Sequence, residues 1–173
     1  GGIYIDLPFY PVTLKEIHMY VSTDGNEPTD GFTVEIFGKN STGGVGDLVY
    51  SGFVDKALIQ YPAAATDPIL PTIVNGIEDN SGNPIVINDD GFYVSFTRAQ
   101  DDGNENYALF EDVVRPFSMR SYEVNDGLWG NYRAASSADP MIGVVVDGSG
   151  AWSGVKESTN DVQVANAYPN PTS

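Results

Sequence analysis

Short runs in which every second residue is apolar recur along most of the chain, and nowhere do apolar residues repeat at helical spacing over three turns. Ile3, Ile5 and Leu7 alternate with Tyr4 and Asp6, and Phe32, Val34 and Ile36 alternate with Thr33 and Glu35. Successive side chains of a strand point to opposite faces, so each run carries one face that must be buried. A single sheet leaves that face open to water; two sheets packed face to face close it. Clusters of Gly, Pro, Asn and Asp separate the runs, drawn from 19 glycines and 11 prolines, and act as turn punctuation. About ten such runs at hairpin spacing predict an all-β fold over residues 1–152, an antiparallel two-sheet β-sandwich of jelly-roll type with almost no α-helix.

The phase of the alternation sharpens this expectation. Val12 and Leu14 occupy one phase and Ile17, Met19 and Val21 the other, so an unbroken strand would turn half of them to water. An extra residue at Lys15-Glu16 restores one buried face, which predicts a β-bulge there. Pro71 interrupts the run 69–74 and lacks a backbone donor, which places that strand at a sheet edge. Asn88-Asp89-Asp90-Gly91, between the runs 85–87 and 92–96, reads as a hairpin turn. The nearly continuous apolar run 141–146 reads as a central strand buried on both faces. The expected core comprises Ile17, Met19, Val34, Ile36, Phe92, Val94, Phe96, Met119, Ile142, Val144 and Val146. Tyr122 and Trp129 flank Asn125-Asp126-Gly127, so a hairpin there brings their strands together, each ring covering one end of the core. The functional alternative makes Trp129 and Tyr132 a platform on which sugar rings stack.

Charge and the missing residue types narrow the function. The balance of 8 basic against 24 acidic residues gives a net charge of −16, which repels nucleic-acid phosphates and anionic lipid. No apolar run approaches the roughly 20 residues that cross a bilayer, so neither nucleic acid nor membrane insertion is expected. The absence of cysteine excludes disulfides, thiolate zinc and a cysteine nucleophile. His18 is the single histidine, and the chain has no Gly-x-Ser-x-Gly elbow to complete a catalytic triad with it. Gly43-Gly44-Val45-Gly46 lacks the Lys-Ser/Thr of a phosphate loop and reads as a turn. With 24 acidic residues, some carboxylate pair meets glycosidase spacing by accident, so that spacing carries no signal.

Calcium is the one cofactor the composition argues for, because it takes clustered carboxylate and carbonyl oxygens. The candidate ligands are Asp24, Asn26 and Asp30 in one turn and Asp101, Asp102 and Asn104, with Glu105, in another; Asp89 and Asp90 form a third acidic turn. None follows the EF-hand spacing, and Asp, Asn and Gly are equally the ordinary residues of β-turns. Both readings stand at this level.

The segment Ala167-Tyr168-Pro169-Asn170-Pro171-Thr172-Ser173 follows a polar, linker-like stretch, and it resembles the opening of the C-terminal sorting domain of type IX secretion cargo. Gly91 to Phe96, Phe117 to Tyr122, Gly127-Leu128-Trp129 and Met141 to Val145 together are similar to jelly-roll accessory modules. Such modules precede the sorting domain in secreted proteases and adhesins of the Bacteroidetes type, including gingipain-like proteins. The resemblance implies a secreted or cell-surface location and a place in a larger multidomain chain. It also implies frequent Ca²⁺ sites and an accessory role toward an extracellular protein or carbohydrate. No calcium ligand carries over residue by residue. Gly1-Gly2-Ile3-Tyr4 has neither the basic flank nor the apolar stretch of a signal peptide, so a mature end or a cut boundary is expected there.

The leading expectation is therefore a non-catalytic binding or adhesion module. Its rivals are a structural spacer beside a catalytic domain and, more remotely, a carboxylate-based hydrolase. Residues 153–173 are expected to be linker and sorting segment, because Val155, Val162, Val164 and Tyr168 stand isolated among polar neighbours and Pro169 and Pro171 oppose regular pairing. A chain ending at Gly154 should accordingly melt within a few degrees of the full chain in a calorimetric scan. A large loss of stability would make the tail part of the fold.

Overall fold

The structure is a computed structural model that describes residues 1–88, 90–99, 106–113, 120–125, 128–131 and 138–148. In chain order the strands are β1 (Gly2–Ile5), β2 (Val12–Met19), β3 (Val21–Thr23), β4 (Phe32–Lys39) and β5 (Val45–Val54). They continue as β6 (Thr72–Val74), β7 (Val86–Ile87), β8 (Phe92–Arg98), β9 (Tyr107–Leu109) and β10 (Glu111–Asp112). The last are β11 (Ser121–Asn125), β12 (Leu128–Asn131), β13 (Asp139–Pro140) and β14 (Ile142–Asp147). One 3₁₀ turn, Lys56–Leu58, is the only helical element among the described residues, and none of their helices is long and apolar enough to cross a membrane. The fold is all-β, as the alternation requires.

Every strand pair among the described residues is antiparallel. A six-stranded sheet runs in the order β12-β11-β1-β8-β4-β5. The second sheet runs β14-β2-β6, with β7 pairing the other end of β2. The short pairs β3–β9 and β10–β13 prolong it, because the Phe110 N–H donates to the Tyr20 carbonyl and the Met141 N–H to the Phe110 carbonyl, each at 2.8 Å. The chain changes sheet at most of its connections, as in a jelly roll.

The core lies between the two sheets. Ile3 and Ile5 of β1, Val34 and Ile36 of β4, and Phe92, Val94 and Phe96 of β8 pack against Leu14, Ile17 and Met19 of β2 and Ile142, Val144 and Val146 of β14. All of the expected core residues are buried except Met119, which lies outside the described residues. Fully burying a side chain such as Phe32 or Ile17 contributes about 2 kcal/mol, whereas an exposed ion pair such as Lys15–Asp147, 4.0 Å apart, contributes at most about 1 kcal/mol. Apolar burial, not charge pairing, holds the sheets together. A buried polar tie also joins them: the Ser121 Oγ donates to the Asp139 Oδ1 at 2.7 Å.

The bulge falls where the phase slip places it. Val145 pairs with Glu16 and Val146 with Leu14, so Lys15 is the extra residue of β2 and points to solvent. Both halves of β2 consequently bury their apolar residues on the same side. β6 begins directly after Pro71 and pairs with β2 on one side, at the edge of its sheet.

Two expectations are corrected. The turn at 88–91 does not close a hairpin: β7 pairs with β2 in the second sheet, whereas β8 pairs with β1 and β4 in the first. The local chemistry is right, since Asp90 and Gly91 both have positive φ (66° and 72°). However, both edges of the seven-residue β8 are filled by β1 and β4, each longer than the two-residue β7, which finds its partner across the sandwich. The run 141–146 is likewise not a central strand: β14 has β2 as its one strand neighbour among the described residues. The strand buried on both faces is β8.

The corner between the sheets rests on Gly91. A Cβ there would lie 2.6 Å from the Ile5 carbonyl oxygen and 2.5 Å from the Tyr4 hydroxyl, while Gly76, also at positive φ (64°), has nothing within 4 Å. Gly91→Ala should therefore cost at least about 3 kcal/mol and Gly76→Ala only about 1 kcal/mol, as read by denaturant unfolding. Equal losses would contradict the close approach.

Candidate functional site

Strand alternation sends Tyr93 and Ser95 of β8 away from the core, to the outer face of the six-stranded sheet. The registers place Tyr4 and Phe37 beside Tyr93, Tyr122 beside Gly2, and Trp129 opposite Val124, all on that same face. Five rings from five adjacent strands thus meet: Trp129, Tyr122, Tyr4, Tyr93 and Phe37. Tyr93 lies at the centre, 4.9 Å from Tyr4 and 5.5 Å from both Tyr122 and Trp129 by ring centroids, and Trp129 meets Phe37 edge-on at 5.5 Å. Edge-to-face contacts of this kind contribute about 1 kcal/mol each beyond area burial. Gly2 makes room for them, since a Cβ there would come within 2.6 Å of the Trp129 ring.

Polar groups frame the rings. The Tyr93 hydroxyl donates to the Gly43 carbonyl and the Tyr4 hydroxyl to the Asp90 carbonyl, each at 2.8 Å. The Gly43 loop is itself folded by Asn40, whose Oδ1 accepts from the Thr42 and Gly44 N–H groups. The Ser95 Oγ donates to the Glu35 Oε2 at 3.3 Å. Lys39 Nζ lies 3.4 Å from Asp90 Oδ1 and 5.7 Å from the Tyr4 ring centroid, and the Arg120 guanidinium approaches the same ring at 5.8 Å. Tyr93 is buried on this face, and that burial, together with the neighbouring Tyr122 and Tyr4 phenols, pushes its own phenol up to about 12.

Of the two rings singled out from sequence, Trp129 belongs to this cluster and Tyr132 lies outside the described residues. Trp129 and Tyr122 do share a hairpin, but they cover the outer face of the sheet rather than an end of the core. Tyr4, Phe37 and Tyr93 escaped notice because inward neighbours such as Ile3, Val34 and Phe92 dominate their runs. The available signal was an aromatic residue on the outward phase of each.

The acidic turn at 24–31 orders its own loop. Asp24 Oδ1 accepts from the Asn26 N–H and from Asn106 Nδ2, both at 3.0 Å, and Asp30 Oδ1 accepts from the Gly31 N–H at 2.7 Å. The Asn26 N–H, followed by Asn106, holds the Asp24 carboxyl below its ordinary value. Asn106 also donates to the Glu27 carbonyl and accepts from the Thr29 N–H, so it clips the loop 24–31 to the start of β9. Asp89, Asp101, Asp102, Asn104 and Glu105 lie outside the described residues. Among the described residues, no three His, Asp or Glu side chains stand close enough together to hold a metal ion.

His18 faces outward from β2, its Nε2 2.7 Å from Glu16 Oε2. A cleft of about 350 Å³ opens where β8, β9 and β11 meet, lined by Arg98, Glu111 and Glu123 among Phe96, Leu109 and Val124. Both glutamates are exposed, whereas a catalytic acid is typically enclosed by apolar surroundings. Comparison with known protein families, curated proteins and solved structures gave no match.

The raised phenol of Tyr93 has a measurable consequence. Its folded value, about 12, lies above the ordinary value of 10.0, so the stabilisation it brings is intact below pH 10 and is lost as pH rises through 12. Titration of phenolate absorbance should show Tyr93 ionising near 12, and Tyr93→Phe should remove that component while leaving the similarly raised Tyr10. A Tyr93 component near 10 would mean that the cluster does not shield it.

Proposed function

We propose that this domain is a non-catalytic binding module whose outer aromatic face holds a carbohydrate chain. In this reading it is an accessory part of a larger secreted or cell-surface bacterial protein. The observation that carries the proposal is the set of five rings drawn from five adjacent strands onto a face that the sandwich core does not use. The outer face of a sandwich is ordinarily polar, because it meets water. Here it is an apolar platform about 19 Å wide, four strand spacings of about 4.8 Å. Its rim of hydroxyl and carboxylate groups suits a ligand with apolar CH faces and hydroxyl edges.

The export and accessory parts of the proposal rest on the resemblance of 167–173 to a type IX sorting segment and on the strongly acidic composition. Calcium enters only as a loop clamp, supported by the Asp24 carboxylate and the Glu27 carbonyl that converge on Asn106 in the loop 24–31.

Binding to a panel of soluble polysaccharides, followed by affinity electrophoresis and calorimetry, tests the platform. Trp129→Ala should weaken the best ligand by at least about tenfold, or about 1.4 kcal/mol, while the folded far-ultraviolet spectrum persists. If no polysaccharide binds, or if Trp129→Ala binds as well as the parent, the spacer role takes the place of the binding role.

A further inference from the structure

We propose that the saccharide held on this face is acidic, with a carboxylate or sulfate group seated beside Tyr4 between Lys39 and Arg120. This inference rests on the carbohydrate-platform reading and specifies the class of chain it accepts. The chain carries three acidic residues for every basic one, 24 against 8, so two cations at one ring run against its composition. Yet Lys39 and Arg120 both approach the Tyr4 ring, at 5.7 and 5.8 Å.

The fold brings them there from opposite sides. Arg120 immediately precedes β11, and its carbonyl accepts the Tyr4 N–H at 2.9 Å, whereas Lys39 closes β4 on the far side of β8. Asp90 faces Lys39 at 3.4 Å, but its side chain is 76% exposed, and exposed ion pairs of this kind are weak enough for a ligand anion to displace. Glu35, the carboxylate on β4 nearer the middle of the face, accepts from Ser95. A sugar whose CH face lies on the rings that cover Tyr93, Trp129 among them, would extend its ring substituents toward the framing groups. A neutral sugar offers hydroxyls there, and an acidic one offers an anion for which Arg presents a planar fork of donors.

The net charge of −16 opposes any polyanion. That repulsion is screened beyond about 8 Å at physiological salt, so contacts within the site decide local affinity.

The probes are oligogalacturonate for carboxylate, dextran sulfate for sulfate, and unmodified dextran and a neutral galactan as uncharged chains. Calorimetry should show at least one acidic probe bound about tenfold or more tightly than the neutral ones, with affinity falling as salt rises. Lys39→Gln and Arg120→Gln should each lower the ratio of acidic to neutral affinity by about fivefold or more, and the double variant should bring it toward one. Lys39→Arg, which keeps the charge, should preserve the ratio, and unchanged melting temperatures exclude a folding defect. Preference for carboxylate over sulfate, or the reverse, identifies the source of the anion. If neutral chains bind as tightly, or if the Gln variants leave the ratio unchanged, the acidic assignment is overturned while Trp129-dependent binding still supports the platform. If no probe, acidic or neutral, binds, both the inference and the reading beneath it fall.

Discussion

β8 is buried on both of its faces, and the rest of the molecule is arranged to keep it so. Its inward residues Phe92, Val94 and Phe96 meet the second sheet, and its outward residues Tyr93 and Ser95 are covered by rings and by Glu35. A strand with no solvent face needs neighbours on both edges and layers above and below. β1 and β4 supply the edges, β2 and β14 the layer within, and Tyr4, Tyr122, Trp129 and Phe37 the layer outside. The aromatic face is thus structural before it is anything else. The candidate binding surface is built from groups already held rigidly for another reason, so little order need be lost when a ligand arrives.

The second constraint is β2, which runs the length of the opposite sheet and pairs with β14, β6 and β7. Without the extra residue at Lys15, Val12 and Leu14 would face water while Ile17 and Met19 faced the core. One solvated lysine reconciles the two halves. The bulge adds strand twist as well, in keeping with a sheet that must follow a curved six-stranded partner.

Charge is distributed with a similar economy. Several acidic groups serve as turn acceptors at the loops: Asp24, Asp30, Asp55, Asp67 and Asp79 each take backbone N–H donors. Carboxylates used this way order loops through backbone N–H groups, and they contribute to the net charge of −16. Against that background the pair of cations around Tyr4 is a local reversal of sign, set on the same face as the rings.

Much of this was legible in order along the chain. The alternation of Phe32-Thr33-Val34-Glu35-Ile36 made strands, and strands with one greasy face made a sandwich; the phase slip between Leu14 and Ile17 placed the bulge at Lys15-Glu16, and pairing shows Lys15 to be the extra residue. Those features are local, because a side chain's face follows from its parity within its own strand. What parity cannot supply is which strand lies next to which. Asp90 and Gly91 had the right conformation for a hairpin but turned a corner between sheets, because β1 and β4 already filled both edges of β8. The run 141–146 looked more deeply buried than 92–96, yet β8 is the doubly covered strand, because rings from β1, β4, β11 and β12 close over Tyr93. The sequence by itself determined the class of fold, the inward core and the kink in β2, all set by short-range periodicity. Only the tertiary structure assembled Trp129, Tyr122, Tyr4, Tyr93 and Phe37 on one face and set Lys39 and Arg120 beside them, because their positions, spread from residue 4 to residue 129, become neighbours only through strand order.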